Sequence, residues 1–254
     1  MRVRTSSLLL LLAVACSHVE GEVTYGKSGE EDYRSGEKAI EDRAFPEATK
    51  YFEHVRNKYP FSKYAALSEL RLADVKFDQE HNIEAADAYR NFVRLHPTHE
   101  QVDYAAFRAG LAYWNESPGD LFIFPPSYEK DQTQVRDAVK TIAEFIKNYP
   151  KSKYRPEAEK ILTEGHNRLV DHEWYAAQFY AKREHWAGVV GRLETLIKEF
   201  PDSPREPAAL LQLAQAYVKL SERYRAQQAL QQLIVKHPRD PHRAEAERFL
   251  ASLR

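Results

Sequence analysis

Five times along this chain an aromatic ring is followed directly by proline: Tyr59-Pro60, His96-Pro97, Tyr149-Pro150, Phe200-Pro201 and His237-Pro238. The residues before each proline keep a common register. Twelve positions before it stand Ala48, Ala85, Ala138, Val189 and Ala226. Eight before it stand Phe52, Tyr89, Ile142, Leu193 and Leu230, and five before it Val55, Phe92, Phe145, Leu196 and Leu233. In four of the five segments a small residue also stands 24 positions before: Gly36, Ala73, Ala177 and Ala214. These offsets are helical, so the apolar residues share one stripe. Proline lacks an N–H and clashes with the preceding turn, so it ends the helix.

Small residues at two fixed places let two antiparallel helices approach closely, and the chain reads as helix pairs, each ending in proline. The pattern resembles the tetratricopeptide repeat (TPR), whose unit is 34 residues. Here the prolines are 37, 53, 51 and 37 residues apart, so the units are longer, and Phe92 and Phe145 stand where that pattern usually has Ala. The expected fold is all-α: a TPR-like α-solenoid of five helix-pair repeats with a concave groove, each pair packing on its neighbours. Arg243 to Leu253 reads as an amphipathic capping helix over the last pair. The surplus before Pro201 is close to four whole helical turns, which predicts near-continuous helix from Glu157 to Lys182. The surplus before Pro150 falls at Asn115 to Thr133, which holds Ser117-Pro118-Gly119 and Pro125-Pro126 and is therefore a loop. Its apolar residues, Leu121, Phe122, Ile123, Phe124 and Tyr128, either fold back onto the repeats or meet a partner.

The N-terminus is organised differently. Arg2 and Arg4 precede an unbroken apolar run, Leu8 to Leu12, and then Ala13-Val14-Ala15-Cys16. This is a secretory signal peptide, too short to span a bilayer. The cut is either an ordinary A-x-A site or a lipobox, whose cysteine becomes the lipidated first residue, although a lipobox usually has Leu at Ala13. The only Cys of the chain stands at this +1 position, which favours lipidation. Acyl chains contribute about 0.8 kcal/mol per buried methylene. Ser17, rather than Asp, after the cysteine favours the outer membrane. Residues 1–15 are thus read as signal peptide, 16–30 as lipidated Cys16 and flexible tether, and 31–254 as the solenoid.

Several function classes are disfavoured. There are 37 basic and 38 acidic residues, a net charge of -1, which does not suit a protein that coats nucleic acid, and no basic patch accompanies the 15 tyrosines. Those tyrosines read mostly as core. The ten histidines show no H-E-x-x-H spacing, there is no second Cys, and neither G-x-G-x-x-G, a P-loop nor G-x-S-x-G occurs. No cofactor, metal or catalytic residue is expected, and the reading is non-enzymatic.

The run Tyr175-Ala176-Ala177-Gln178-Phe179-Tyr180, Trp186-Ala187-Gly188-Val189-Val190-Gly191-Arg192 and Glu199-Phe200-Pro201-Asp202-Ser203 resembles the BamD (ComL) family of outer-membrane protein assembly factor lipoproteins. The turns Tyr59-Pro60-Phe61-Ser62 and Tyr149-Pro150-Lys151-Ser152, and Phe107-Arg108-Ala109-Gly110-Leu111, are similar to it as well. The resemblance implies a lipid-anchored scaffold on the periplasmic face of the outer membrane, within the β-barrel assembly (BAM) complex. It implies C-terminal repeats that bind the POTRA domains of BamA and help hold other BAM lipoproteins. It also implies N-terminal repeats that receive the C-terminal signals of unfolded outer-membrane β-barrel proteins. On that basis the groove residues are Tyr33, Glu37, Ile40, Leu67, Leu70, Asp74 and Phe77, an apolar floor with two carboxylates suited to an extended strand with an aromatic end. Arg192 lies off the stripe of Val189, Val190, Leu193 and Leu196, so it is expected to be exposed and to contact BamA. The competing reading is another TPR lipoprotein, such as a pilotin that escorts a secretin.

Overall fold

The computed structural model describes residues 23–119, 123 and 125–253. Among them there are eleven α-helices and no strand: α1 (Gly29–Glu41), α2 (Phe45–Lys58), α3 (Lys63–Asp78), α4 (Asn82–Leu95), α5 (Val102–Glu116), α6 (Thr133–Asn148), α7 (Arg155–Ala181), α8 (Trp186–Glu199), α9 (Glu206–Lys219), α10 (Arg223–Lys236) and α11 (Arg243–Ser252). A short 3₁₀ turn, Ser127–Glu129, precedes α6. The all-α fold of helix-pair repeats is borne out, with α1/α2, α3/α4, α5/α6, α7/α8 and α9/α10 as the pairs. The chain divides into two compact units, the first ending at Ser68 and the second beginning at Glu69. In the first, α1 packs on α2; in the second, consecutive helices from α4 to α11 pack on each other.

The aromatic residue before each proline is the C-cap of a second helix. Proline disfavours the α conformation in the residue before it. Tyr59, His96, Tyr149, Phe200 and His237 accordingly share φ between -119° and -128° and ψ between 50° and 61°. Each still donates its N–H to the carbonyl four residues back, Val55, Phe92, Phe145, Leu196 and Leu233, at 2.8–3.0 Å. The turn from first to second helix is also repeated. Arg43, Glu80, Glu184 and Ser221 stand 17 residues before their prolines, and all have positive φ, 55–63°. The next N–H in each case reaches back five residues, as from His81 to the Lys76 carbonyl at 2.9 Å, which satisfies helix-end carbonyls in a Schellman-like turn. Helices α2, α7 and α9 begin with Pro at N1 or N2, where the missing N–H costs nothing.

The core follows the proline register. All fifteen residues at twelve, eight and five positions before the prolines are at most 1% exposed. Burying each large one contributes about 1.5–3 kcal/mol relative to leaving it in water. Phe92 and Phe145, the departures from the usual small residue, are core with the rest. Gly36 shows why the position 24 before the proline is small: a Cβ there would lie 2.7 Å from the ring of Phe52. The third pair has no such residue at that count. Its counterpart is Gly110, where a Cβ would lie 2.6 Å from Ile142, the third-pair equivalent of Phe52. The insertion before α6 moves Gly110 sixteen positions further from Pro150, outside the sequence count.

Helix α7 is 27 residues long and takes up the surplus before Pro201 as predicted. The insertion folds back, in its described part, onto α7. Arg168 donates to Ser117 Oγ at 3.2 Å and the Pro118 carbonyl at 2.9 Å, and lies over the Trp114 ring. His172 Nδ1 pairs with the Tyr128 carbonyl at 2.7 Å, and the Tyr128 ring meets Tyr175. Leu121, Phe122 and Phe124 lie outside the described residues, while Ile123 is exposed. Helix α11 closes the last pair: Ala246 is buried, and the Leu253 carbonyl accepts from Arg223 Nε at 2.6 Å and Gln227 Nε2 at 2.8 Å. At the other end, α1 starts at Gly29 with Ser28 as N-cap, so its first turn takes in two residues read as tether.

The tyrosines correct the sequence reading. Among the described residues only Tyr89, Tyr113 and Tyr217 are buried. Most of the others are partly buried, the usual state of an amphipathic side chain.

Candidate functional site

The residues expected to line a groove behave differently in the two units. In the first, Tyr33, Glu37 and Ile40 on α1 and Leu67 at the start of α3 are all partly buried. The Tyr33 ring centroid stands 5.6 Å from Phe52 and 5.4 Å from Tyr64. In the second, Leu70 is 1% and Asp74 5% exposed, which corrects both expectations. Leu70 faces the core. Asp74 is enclosed because three side chains converge on it, and it offers no open charge as it stands. Phe77 remains partly buried.

The surroundings of Asp74 form a polar cluster within the second unit. Tyr89 and Tyr104 donate their hydroxyls to Oδ1 at 2.6 and 2.8 Å, and Arg71 donates to Oδ2 at 2.8 Å. Burial first, and then the Asp74 charge, push both phenols well above the ordinary tyrosine range, so they remain donors. Arg108, on α5, adds its Nε to the Tyr89 hydroxyl at 3.2 Å and lies 3.7 Å from the Phe77 ring centre. Cation, ring and phenols thus hold α3, α4 and α5 to one another.

Arg192 is not free-standing. Its Nη1 donates to Glu173 Oε2 at 3.2 Å, while Arg136 Nη2 donates to the other oxygen at 2.8 Å. Glu173 is 1% exposed and Arg192 41%. The helix pattern placed Arg192 off the apolar stripe, and it is; but that side of α8 faces a buried carboxylate on α7. Burial pulls the Arg192 pKa down, but the bond and charge of Glu173 together with Tyr180 outweigh it, so the net shift is upward. Arg136 also reaches Glu199 at 3.0 Å, linking α6, α7 and α8.

Buried acids recur. Glu206 is sealed, accepts from the Asp202 N–H at 2.7 Å and from Lys236 Nζ at 2.7 and 2.8 Å, and has His237 Nε2 at 3.3 Å. In the first unit Asp32 is sealed and accepts from the Gly26 N–H at 2.6 Å, with His54 at 3.6 Å under a stacked Tyr25. Sequence reasoning passed over Glu173, Arg136, Arg108 and Asp32. One signal was present: Asp32 and Glu173 both stand 28 residues before their prolines, on the buried side of a first helix. Cys16 lies outside the described residues. No described group of three His, Cys, Asp or Glu is placed to hold a metal, and no described helix is long and apolar enough to cross a membrane.

A family model described as YfiO, outer membrane lipoprotein, matches residues 26–233. The chain belongs to the YfiO family. YfiO-family resemblance extends to individual proteins at modest identity and high coverage. The outer membrane protein assembly factor BamD of Neisseria meningitidis serogroup A is 25% identical over 224 residues, covering 87% of this chain and 84% of that protein. BamD of Vibrio cholerae is 26% identical over 191 residues, covering 74% and 79%. BamD of Pasteurella multocida is 23% identical over 225 residues, covering 87% and 86%. The resemblance read from the 175–203 run and the proline turns is therefore borne out.

Proposed function

We propose that this chain is a non-enzymatic assembly factor for outer-membrane β-barrel proteins, anchored through a lipidated Cys16 to the periplasmic face of the outer membrane. The observation that carries the reading is the YfiO match across residues 26–233, together with assembly factors aligned over most of both chains. In this reading the C-terminal repeats bind the POTRA domains of BamA, with other BAM lipoproteins nearby, and Arg192 contributes with its outward side while its inward side holds Glu173. The N-terminal repeats take the C-terminal signals of unfolded barrel proteins. Tyr33, Glu37, Ile40 and Leu67 offer a partly buried mix of ring, aliphatic side chain and carboxylate for this role, and Phe77 offers a ring in the second unit. Leu70 and Asp74 are buried within the second unit and do not touch the client. A helix-pair scaffold suits the task because repeated first helices present similar positions at regular intervals.

Depletion tests the reading. Loss of the protein is expected to lower the amounts of several unrelated β-barrel proteins in the outer membrane. If depletion instead removes pili and leaves barrel proteins at normal levels, the chain is a secretin pilotin and the proposal is wrong.

A further inference from the structure

Arg108 is held in a way that its own helix does not require. Its side chain is only 19% exposed. Its Nε is bonded to the Tyr89 hydroxyl at 3.2 Å, and its guanidinium lies over Phe77 at 3.7 Å, with the Tyr104 and Tyr89 rings at 5.6 and 5.8 Å. Neither Nη makes a hydrogen bond with any described residue: the nearest carboxylate, Asp78, is at 3.9 Å. Neither Nη is among the polar atoms sealed from solvent. A cation this far withdrawn from water normally has a partner for each donor. The other acid at hand, Asp74, already accepts from two phenols and Arg71. What remains is a flat, rigid fork of N–H donors collared by aromatic rings, the arrangement that suits a carboxylate. The collar is apolar, so the carboxylate arrives with an apolar group beside it.

We infer that Arg108 anchors the free C-terminal carboxylate of a bound chain whose last residue is apolar, with Phe77 and Tyr104 against that last side chain. The inference rests on the proposed capture of client C-termini and names the group that would make capture specific for an end. Arg71 and Asp74 are positioning residues here: they fix the phenols, and Tyr89 fixes Arg108. The rings limit the guanidinium's motion in advance, so little further ordering is needed when the anion arrives.

The test uses the mature chain and a short fluorescent peptide of alternating apolar and polar residues ending in Phe. It is made with a free C-terminus, with a C-terminal amide, and as an amide carrying Glu at the penultimate position. Binding is read by polarisation. The free acid is expected to bind about tenfold or more tightly than the amide, the size of a lost charge-assisted pair. The Glu-bearing amide should not recover the difference. Arg108→Gln should collapse the gap between acid and amide, and Arg108→Lys should keep part of it. Equal binding of acid and amide to the unaltered protein, or a gap that survives Arg108→Gln, overturns the inference while leaving client capture standing. Full recovery by the Glu side chain overturns the assignment to a chain end. If no peptide binds, the inference falls together with the capture reading. Should Arg108→Gln fail to fold, the comparison on unaltered protein and on Arg108→Lys still decides.

Discussion

Arg192→Glu is the natural mutation for probing a partner contact, and its effect on this protein alone can be worked from the structure. Glu173 is a sealed carboxylate with two guanidinium partners, Arg136 at 2.8 Å and Arg192 at 3.2 Å. Breaking a buried pair costs about 3–5 kcal/mol when the remaining charge is left alone. Here Arg136 stays, and Arg192 is 41% exposed and partly screened, so Arg192→Ala should cost only ~1–2 kcal/mol. Arg192→Glu adds a like charge. Two charges about 4 Å apart interact by about 4 kcal/mol at an effective dielectric of 20. Outward rotation of the new side chain relieves part of that, leaving a total cost of about 3 kcal/mol. At roughly 2–4 °C per kcal/mol for a chain of this size, the thermal midpoint by circular dichroism should fall by ~2–8 °C for the alanine and by about 6–12 °C for the glutamate. Glu173→Gln in the Arg192→Glu background should recover most of the difference between the two, because it removes the repulsion. A midpoint for Arg192→Glu within about 1 °C of the unaltered protein would refute the reasoning. It also follows that loss of partner binding in Arg192→Glu is interpretable only beside the Arg192→Glu, Glu173→Gln double variant, in which the fold is restored and the surface charge is still reversed.

Three further outcomes follow from the packing, the titration and the N-terminus. Gly110→Ala should lower the midpoint, by the ~1–3 kcal/mol of an overpacked core, since its Cβ would stand 2.6 Å from Ile142, and Ile142→Val should return part of the loss; no change in either variant would contradict the close approach of α5 and α6. Tyr89 is raised in the folded state by burial and by Asp74, so above about pH 10 the unfolded chain releases this proton first, and the stability it contributes, complete below pH 10, declines as pH rises. Tyr89→Phe should therefore be less stable near neutrality, having lost a bond to Asp74, yet show a shallower decline into alkali; parallel declines would contradict the assignment. Cys16→Ser should move the protein from the outer-membrane fraction to the soluble periplasmic fraction, and retention in the membrane fraction would contradict lipid anchoring at this residue.

The helix pairs were legible because the signal is steric and local. Proline sets the conformation of the residue before it wherever it occurs, so five prolines mark five helix ends with nearly the same backbone angles. The length of α7 was legible for a related reason, since only whole turns keep a buried stripe facing one way. Gly110 falls outside the plain count from Pro150, and only a count that subtracts the sixteen-residue surplus within 115–133 reaches it. Asp74 and Leu70 were misplaced for a different reason. A carboxylate on an amphipathic helix reads as surface until its donors are known, and those of Asp74 come partly from Tyr89 and Tyr104, which lie on two other helices. Arg192 repeats the lesson: the stripe of α8 gives its direction on the helix, while Glu173, nineteen residues earlier, decides what it meets.

The central claim is that this chain serves outer-membrane protein assembly as a lipid-anchored scaffold, and the direct measurement is its company in the membrane. Purification of the intact lipidated protein from outer membrane in mild detergent, followed by mass spectrometry of what accompanies it, should return a POTRA-bearing barrel protein in near-stoichiometric amount. Recovery of a secretin in its place, or of the chain with no barrel protein at all, would contradict the account.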